Sequence, residues 1–276
     1  MDENGFVRRL VNGVPIYSCR RLEHFSDLRH GFSTRHGGVS PLPDRALNLS
    51  HISWDSPDCV EENRRRFLDA LQLHTGQLCT VRQAHTSQIH IIGEVPVHWN
   101  PPEGDALVTG RPGVALAVKT ADCFPILIVD PTTRVIASVH SGWKGTLARI
   151  LFKTMEAMRG AFACDPSRLL VAIGPAIRPC CFEVGSEVAD LFGEQYPGIP
   201  LASRHAHQPG KYFLDLGAAL RVQLKEAGIP EDNVHDLGLC TKCRNDEFFS
   251  YRAEGPRSGR MMAVIARVAP AKRRTP

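Results

Sequence analysis

Residues 114–130, VALAVKTADCFPILIVD, constrain the fold more than any other stretch of this chain. They are rich in Val, Ile, Leu and Thr and read as strand, with a break where Asp122 and Cys123 approach Pro125. Other short apolar runs bounded by Gly or Pro read the same way: LCTVRQAH (78–85), IHIIG (89–93), DALVT (105–109), RVIASVH (134–140) and LLVAIGPAI (169–177). NVHDLGL, FFSYR and MMAVIARV supply the last predicted strands. RVIASVH runs directly into GWKGTLARILFKTMEAMRGAF (142–162), which reads as one helix. A helix is also predicted from Ser56 to Leu73, with Ser56 as N-cap, Pro57 at the first helical position and acids in the first turn. Two more fall around Ser186–Phe192 and over Leu214–Ala227, the latter ended by Gly228. Near the N-terminus, GFSTRHGGVSPLPDRALNLS (31–50) reads as loop, because Gly37, Gly38, Pro41 and Pro43 oppose regular structure. Helices and strands mixed without strict alternation predict an α/β (α+β) layered sandwich, mixed β-sheets flanked by helices, rather than a parallel barrel. Repeats and linkers are absent, so residues 1–276 are read as one domain.

A chain of 276 residues can bury about three-quarters of its unfolded surface, enough for a sizeable core. At 43% hydrophobic and 22% charged it is globular in composition, and a net charge of +4 is too mild to predict a nucleic-acid partner. The dense basic cluster Lys272–Arg274 reads as a solvated tail. No apolar run approaches the ~20 residues of a membrane helix, and the acidic opening MDENGFVRRL does not resemble a secretory signal. The expectation is a cytoplasmic protein in a reducing compartment, whose nine cysteines are thiols or metal ligands rather than disulfides.

Three residues stand at the ends of predicted strands: His85, Cys123 and His140. Strand ends facing a loop layer are where side chains converge on a shared site. Two imidazoles and a thiolate form a common set for catalytic zinc, which keeps a fourth position open. The thiolate argues against magnesium or calcium. Their spacing is not local, and a buried cysteine with two hydrogen-bonded histidines fits it too.

The segments QAHTSQIH, EGDALVT, VKTADCFPILIVD, VHSGWKGT, IGPAIRPCCFEVG and FFSYRAEGPRSGR occur in one order, and together they resemble the YfiH-like family. That family was first described as laccase-domain or polyphenol oxidase proteins and later as purine nucleoside phosphorylases. The resemblance runs over about 31–265. It implies a CNF/YfiH-like fold and one zinc held by His85, Cys123 and His140. It further implies phosphorolysis of adenosine, inosine, guanosine and methylthioadenosine, with deamination of adenosine as a second activity. The family usually has Gly after the first histidine; this chain has Thr86.

Phosphorolysis requires charge-assisted hydrogen bonds to a phosphate dianion. Arg35 in STRHGG is the first candidate, then Lys144 beyond His140, then Arg64 in ENRRR; each reads equally as a partner in an ordinary ion pair. Asp122, beside Cys123, reads as a proton shuttle, as a partner orienting a metal-bound histidine, or as facing away. Tyr251 and Arg252 are placed at a purine pocket, and Phe249 there or in the core. Cys180 and Cys181 read as packing or pocket wall, and the lone CTKC of Cys240 and Cys243 predicts no second metal site. Two rivals remain: a metal-free cysteine hydrolase with Cys123 as nucleophile and His140 as base, and copper-dependent phenol oxidation. His205 and His207 form the one His-x-His pair, too few ligands for several coppers. The expected partners are purine nucleosides and phosphate, and the chain is expected to be a monomer or small homo-oligomer.

Overall fold

The computed structural model describes residues 2–93 and 99–268; the basic cluster Lys272–Arg274 lies outside them. Successive side chains of a strand point to opposite faces, and in the central strands both faces are apolar. In Phe124–Val129, residues Phe124, Ile126 and Ile128 enter one core, whereas Leu127 and Val129 enter another. In Met261–Arg267, Met261, Ala263 and Ile265 share that second core, and Met262, Val264 and Ala266 enter a third. Strands buried on both faces need a covering layer on each side.

The outcome is helix, sheet, sheet, helix. One sheet has seven strands in the order Asp2–Glu3, Phe6–Val11, Val14–Cys19, Leu28–Ser33, Met261–Arg267, Ala115–Thr120, Leu78–Thr80. A second has six, ordered Val234–Asp236, Leu170–Ile173, Phe124–Val129, Ile136–Ser141, Ala106–Thr109, Ile89–Ile91, and a small third sheet joins Glu183–Gly185, Lys211–Leu214 and Ala202–Arg204. Both large sheets are mixed: Leu78–Thr80 runs parallel to Ala115–Thr120, and Leu170–Ile173 parallel to Val234–Asp236. The layered sandwich expected from the sequence is therefore the observed fold. The chain crosses from the seven- to the six-stranded sheet through residues 81–88, and again through 121–123.

Helix Pro57–Ala70 covers the outer face of the seven-stranded sheet with Phe67 and Leu68, and the Ser56 hydroxyl caps it by accepting from Cys59 N–H. On the six-stranded sheet lie Ile150–Phe162 and Leu216–Glu226. The predicted single helix over 142–162 is instead two, Trp143–Leu147 and Ile150–Phe162, with Arg149 between them at φ 62°. The carbonyl of Thr146 is taken by Gln223 Nε2 (2.8 Å) and Tyr196 Oη (3.0 Å), so the helical ladder stops there and the axis turns.

Two other expectations are corrected. FFSYR is not a strand: Phe248 and Phe249 are buried, and Ser250 caps the short helix Tyr251–Glu254. Within 31–50, residues 31–33 end strand Leu28–Ser33 and His36–Ser40 is a strand of its own, despite the glycines. Gly37 supplies a φ of +89°, and a Cβ on Gly38 would lie 2.0 Å from the Ala46 carbonyl oxygen, so here glycine permits the strand to pass closely rather than breaking it.

His30, in Leu28–Ser33, is buried and accepts a hydrogen bond at Nε2 from Cys19 N–H (2.9 Å), which requires the neutral ring. Burial holds its pKa down at about 4. The unfolded ring protonates near 6.5, so its stabilising effect is complete above that pH and is lost as pH falls to about 4. Between pH 7 and 4 the unfolding free energy should drop by about 3 kcal/mol more in the native chain than in His30→Gln. Equal slopes in denaturant titrations of the two would contradict this.

Candidate metal centre

The two crossings and the end of Ile136–Ser141 bring His85, Cys123 and His140 together, with one donor atom from each within 4.8 Å of the others. Cys123 Sγ lies 3.8 Å from His85 Nε2, and the two imidazole rings meet edge to face with centroids 5.0 Å apart. His85 is exposed and His140 is 3% exposed, so the group opens toward solvent on the His85 side.

Asp105 holds this arrangement. It precedes strand Ala106–Thr109, whose register sets Ala106 opposite Val139, and its own carbonyl accepts from His140 N–H (2.8 Å). Its carboxylate, fully buried, accepts from His140 Nδ1–H (2.8 Å), His85 N–H (3.1 Å), Thr86 N–H (2.6 Å) and the Thr86 hydroxyl (2.9 Å). With Nδ1 committed to Asp105, the Nε2 lone pair of His140 is left free for a ligand. His85 sits at φ 58°, a left-handed backbone that the Asp105 bonds to residues 85 and 86 pin in place. Thr86 adds a hydroxyl donor to the same carboxylate.

Burial pushes the Asp105 carboxyl up, but the hydrogen bonds from His140 and Thr86 outweigh it and hold it at about 2. Burial likewise raises the Cys123 thiol; the neighbouring His140 charge and bonds from both histidines bring it down to about 6. His140 is lowered by burial and raised more strongly by Cys123 and Asp105, to about 9. A thiolate facing two imidazoles is a donor set suited to zinc, and these sulfur and nitrogen atoms are close enough to share one ion. Gly142 leaves room for it: a Cβ there would lie 2.9 Å from Cys123 Sγ and 3.0 Å from His85 Cδ2.

The triad opens onto a cavity of about 680 Å³ that Lys119, Asp122, Phe182, Tyr251, Arg252 and Arg260 also line. Lys119, Arg252 and Arg260 have no carboxylate partner among the described residues. Burial, with Arg64 and Arg260 nearby, lowers the Lys119 ammonium to about 8. Arg260 lies over the ring of Tyr251 (5.6 Å to the centroid) and Arg252 over Phe182 (5.2 Å).

Of the predicted anion ligands, none lines this cavity. Arg35 is buried elsewhere, bound to Glu254 (2.8 Å) and the Asn245 carbonyl and stacked on Phe249, which is core. Lys144 is exposed over Trp143, and Arg64 donates to the Leu49 carbonyl (3.1 Å) and Glu61 (2.9 Å). Asp122, at φ 87°, has both carboxylate oxygens engaged, accepting from the Thr241 hydroxyl (2.6 Å) and Arg252 N–H (2.6 Å). The partner of His140 is thus Asp105, which sequence reasoning missed although it stands in the quoted EGDALVT. Lys119 and Arg260, also missed, stand in VKTADC and RSGR. The fold further brings Cys180 and Cys181 to Cys240 and Cys243, with the four sulfurs within 4.8 Å of one another.

Replacing Asp105 with Asn keeps the shape but removes the charge that orients His140, and zinc affinity should fall about 10–100-fold. Competition against a chromogenic chelator measures it; an unchanged affinity would mean that Asp105 serves only the fold.

The family model described as multi-copper polyphenol oxidoreductase laccase matches residues 29–268. A Deinococcus radiodurans protein named purine nucleoside phosphorylase is 41% identical over 254 residues, 92% of this chain and 93% of its own. The Escherichia coli purine nucleoside phosphorylase YfiH is 34% identical over 233 residues, 84% of this chain and 91% of its own. Among solved structures, YlmD from Geobacillus stearothermophilus superposes with a TM-score of 0.87 at 32% identity, covering 96% of this chain and all of YlmD. The matched residues include both crossings, His85, Cys123 and His140, and the strands that carry them, and on that coverage the chain belongs to the YfiH-like family.

Proposed function

We propose that this chain is a zinc-dependent purine nucleoside phosphorylase that also deaminates adenosine. One observation carries the proposal: a metal-ligand triad and three cations without carboxylate partners share a single cavity. The names of its relatives agree with the phosphorylase assignment. Cys123 Sγ, His85 Nε2 and His140 Nε2 are the atoms that would hold zinc, which supplies Lewis acidity worth several kcal/mol of charge stabilisation.

The other steps belong to the protein. Lys119, Arg252 and Arg260 receive the phosphate dianion: Lys119 and Arg260 are half-buried and Arg252 exposed, the two arginines are held only by backbone carbonyls among the described residues, and a dianion offsets charge that no carboxylate there balances. A phosphate oxygen attacks C1′ of the ribose, the C1′–N9 bond breaks, and its electron pair leaves with the purine, which takes up a proton. Tyr251, half exposed and backed by Arg260, presents a ring face for the base. Asp122 positions rather than transfers: it ties the Arg252 backbone and Thr241 to the crossing that carries Cys123.

A second reading has its own observation. Without metal, Cys123, His140 and Asp105 make a thiolate–imidazolium–carboxylate series of the kind that cysteine hydrolases use. Activity that survives chelation in protein with well under one equivalent of metal would favour it. Copper oxidation has less support, since His205 and His207 stand on an exposed loop stretch, and the two metal-ligand groups among the described residues include neither.

Adenosine incubated with the protein should yield adenine only when phosphate is present, and inosine without it. Lys119→Met should raise KM for phosphate about tenfold to a hundredfold, the loss of one charge-assisted hydrogen bond. Cys123→Ala should lose zinc and turnover together while keeping its circular dichroism. A fully active, zinc-free Cys123→Ala protein would refute the assignment, as would the absence of any phosphate-dependent product.

A further inference from the structure

The six-stranded sheet carries a second cluster of metal-ligating side chains, on loops that the site above does not use for chemistry. Strands Leu170–Ile173 and Val234–Asp236 are adjacent and parallel, so the loops that follow them leave the same end of the sheet. The first loop carries Cys180 and Cys181, the second Cys240 and Cys243. A bridge between Ala176 and Cys240 sets their register: Ala176 N–H donates to the Leu239 carbonyl (3.2 Å) and Thr241 N–H to the Ala176 carbonyl (3.1 Å). Arg178 clamps the base of both loops by bidentate bonds to Asp236 (2.6 and 2.9 Å).

This scaffold gathers four sulfurs. Cys243 Sγ lies 3.4 Å from Cys181 Sγ and 3.6 Å from Cys180 Sγ, and all four fall within 4.8 Å of one another. Four thiolates around a tetrahedral zinc at ~2.3 Å stand about 3.8 Å apart, so the cluster needs only small rotations to close on an ion. None of the four is in a disulfide. We propose that Cys180, Cys181, Cys240 and Cys243 form a second zinc site, closed by four protein sulfurs and structural in character. It is separate from the His85–Cys123–His140 centre.

The fold gives this site a consequence for the cavity. Thr241, inside the Cys-x-x-Cys turn, donates to Asp122, and Phe182, next to Cys181, lines the cavity wall. A four-sulfur ion would therefore clip together the two loops that brace one side of the first centre.

Metal content tests the proposal independently of activity. The full chain, grown with zinc and purified under reducing conditions without chelator, should contain two equivalents of zinc. Cys123→Ala and Cys243→Ser should each contain one, and the double variant none. Cys243 is exposed, so its replacement by Ser tests the site without opening the core. Cobalt added to metal-free Cys123→Ala should give the intense sulfur-to-metal charge-transfer and visible bands of a tetrahedral tetrathiolate, and these should vanish in Cys123→Ala/Cys243→Ser. The proposal fails if the native chain holds one equivalent and Cys123→Ala none. It fails equally if Cys123→Ala binds no cobalt, whether its thiols titrate freely or are recovered as a disulfide.

Discussion

A single buried carboxylate organises the centre of this protein. Asp105 loses its hydration on folding, a cost of several kcal/mol for an ion. It is offset because its oxygens accept four hydrogen bonds from His140, His85 and Thr86. Each such bond to a charged group contributes about 1.5–3 kcal/mol. The same bonds fix the tautomer of His140 and the backbone of His85. Ligand geometry is therefore a by-product of satisfying one desolvated charge.

The strain in the site is placed accordingly. His85 and Asp122 both have positive φ, at 58° and 87°, conformations that cost about 1–3 kcal/mol each for a residue with a Cβ. Each lies on a crossing between sheets, and each is held by bonds to neighbours, His85 by Asp105 and Asp122 by Thr241, Arg252 and the Ile177 N–H. Three residues, 121–123, carry the chain from one sheet to the other. A link that short leaves little freedom for a relaxed backbone, and Cys123 inherits its direction from it.

Much of this was legible in the sequence, and the gaps have physical causes. The central strands announce themselves as continuous apolar runs, and the breaks that end two of them mark Cys123 and His140. Asp105 was not recognised because its partner His140 is 35 positions away and EGDALVT shows nothing but a strand start. Lys119 hides inside an apolar run, where its charge has meaning only once Arg260, from the far end of the chain, stands beside it. The paired cysteines are more than 60 residues apart, and only two parallel strands with loops on the same edge reveal them as neighbours. The N-terminal strands were not anticipated, although Asn12–Gly13, with φ of 51° and 80°, is the turn signal that joins Phe6–Val11 to Val14–Cys19. In GWKGTLAR the helical pattern was sound, but two side chains from distant elements captured one carbonyl and ended it early.

The placement of His85, Cys123 and His140 bears on how the molecule is assembled. His85 and Cys123 ride on separate passages between the sheets, and His140 belongs to one sheet alone, so their donor atoms converge only after the two sheets have stacked. An ion held by all three is a rivet driven through finished plates: it records that the sandwich has closed, and it resists their shearing past one another thereafter. Any ion taken up there would in that sense be the molecule's last act of folding rather than its first.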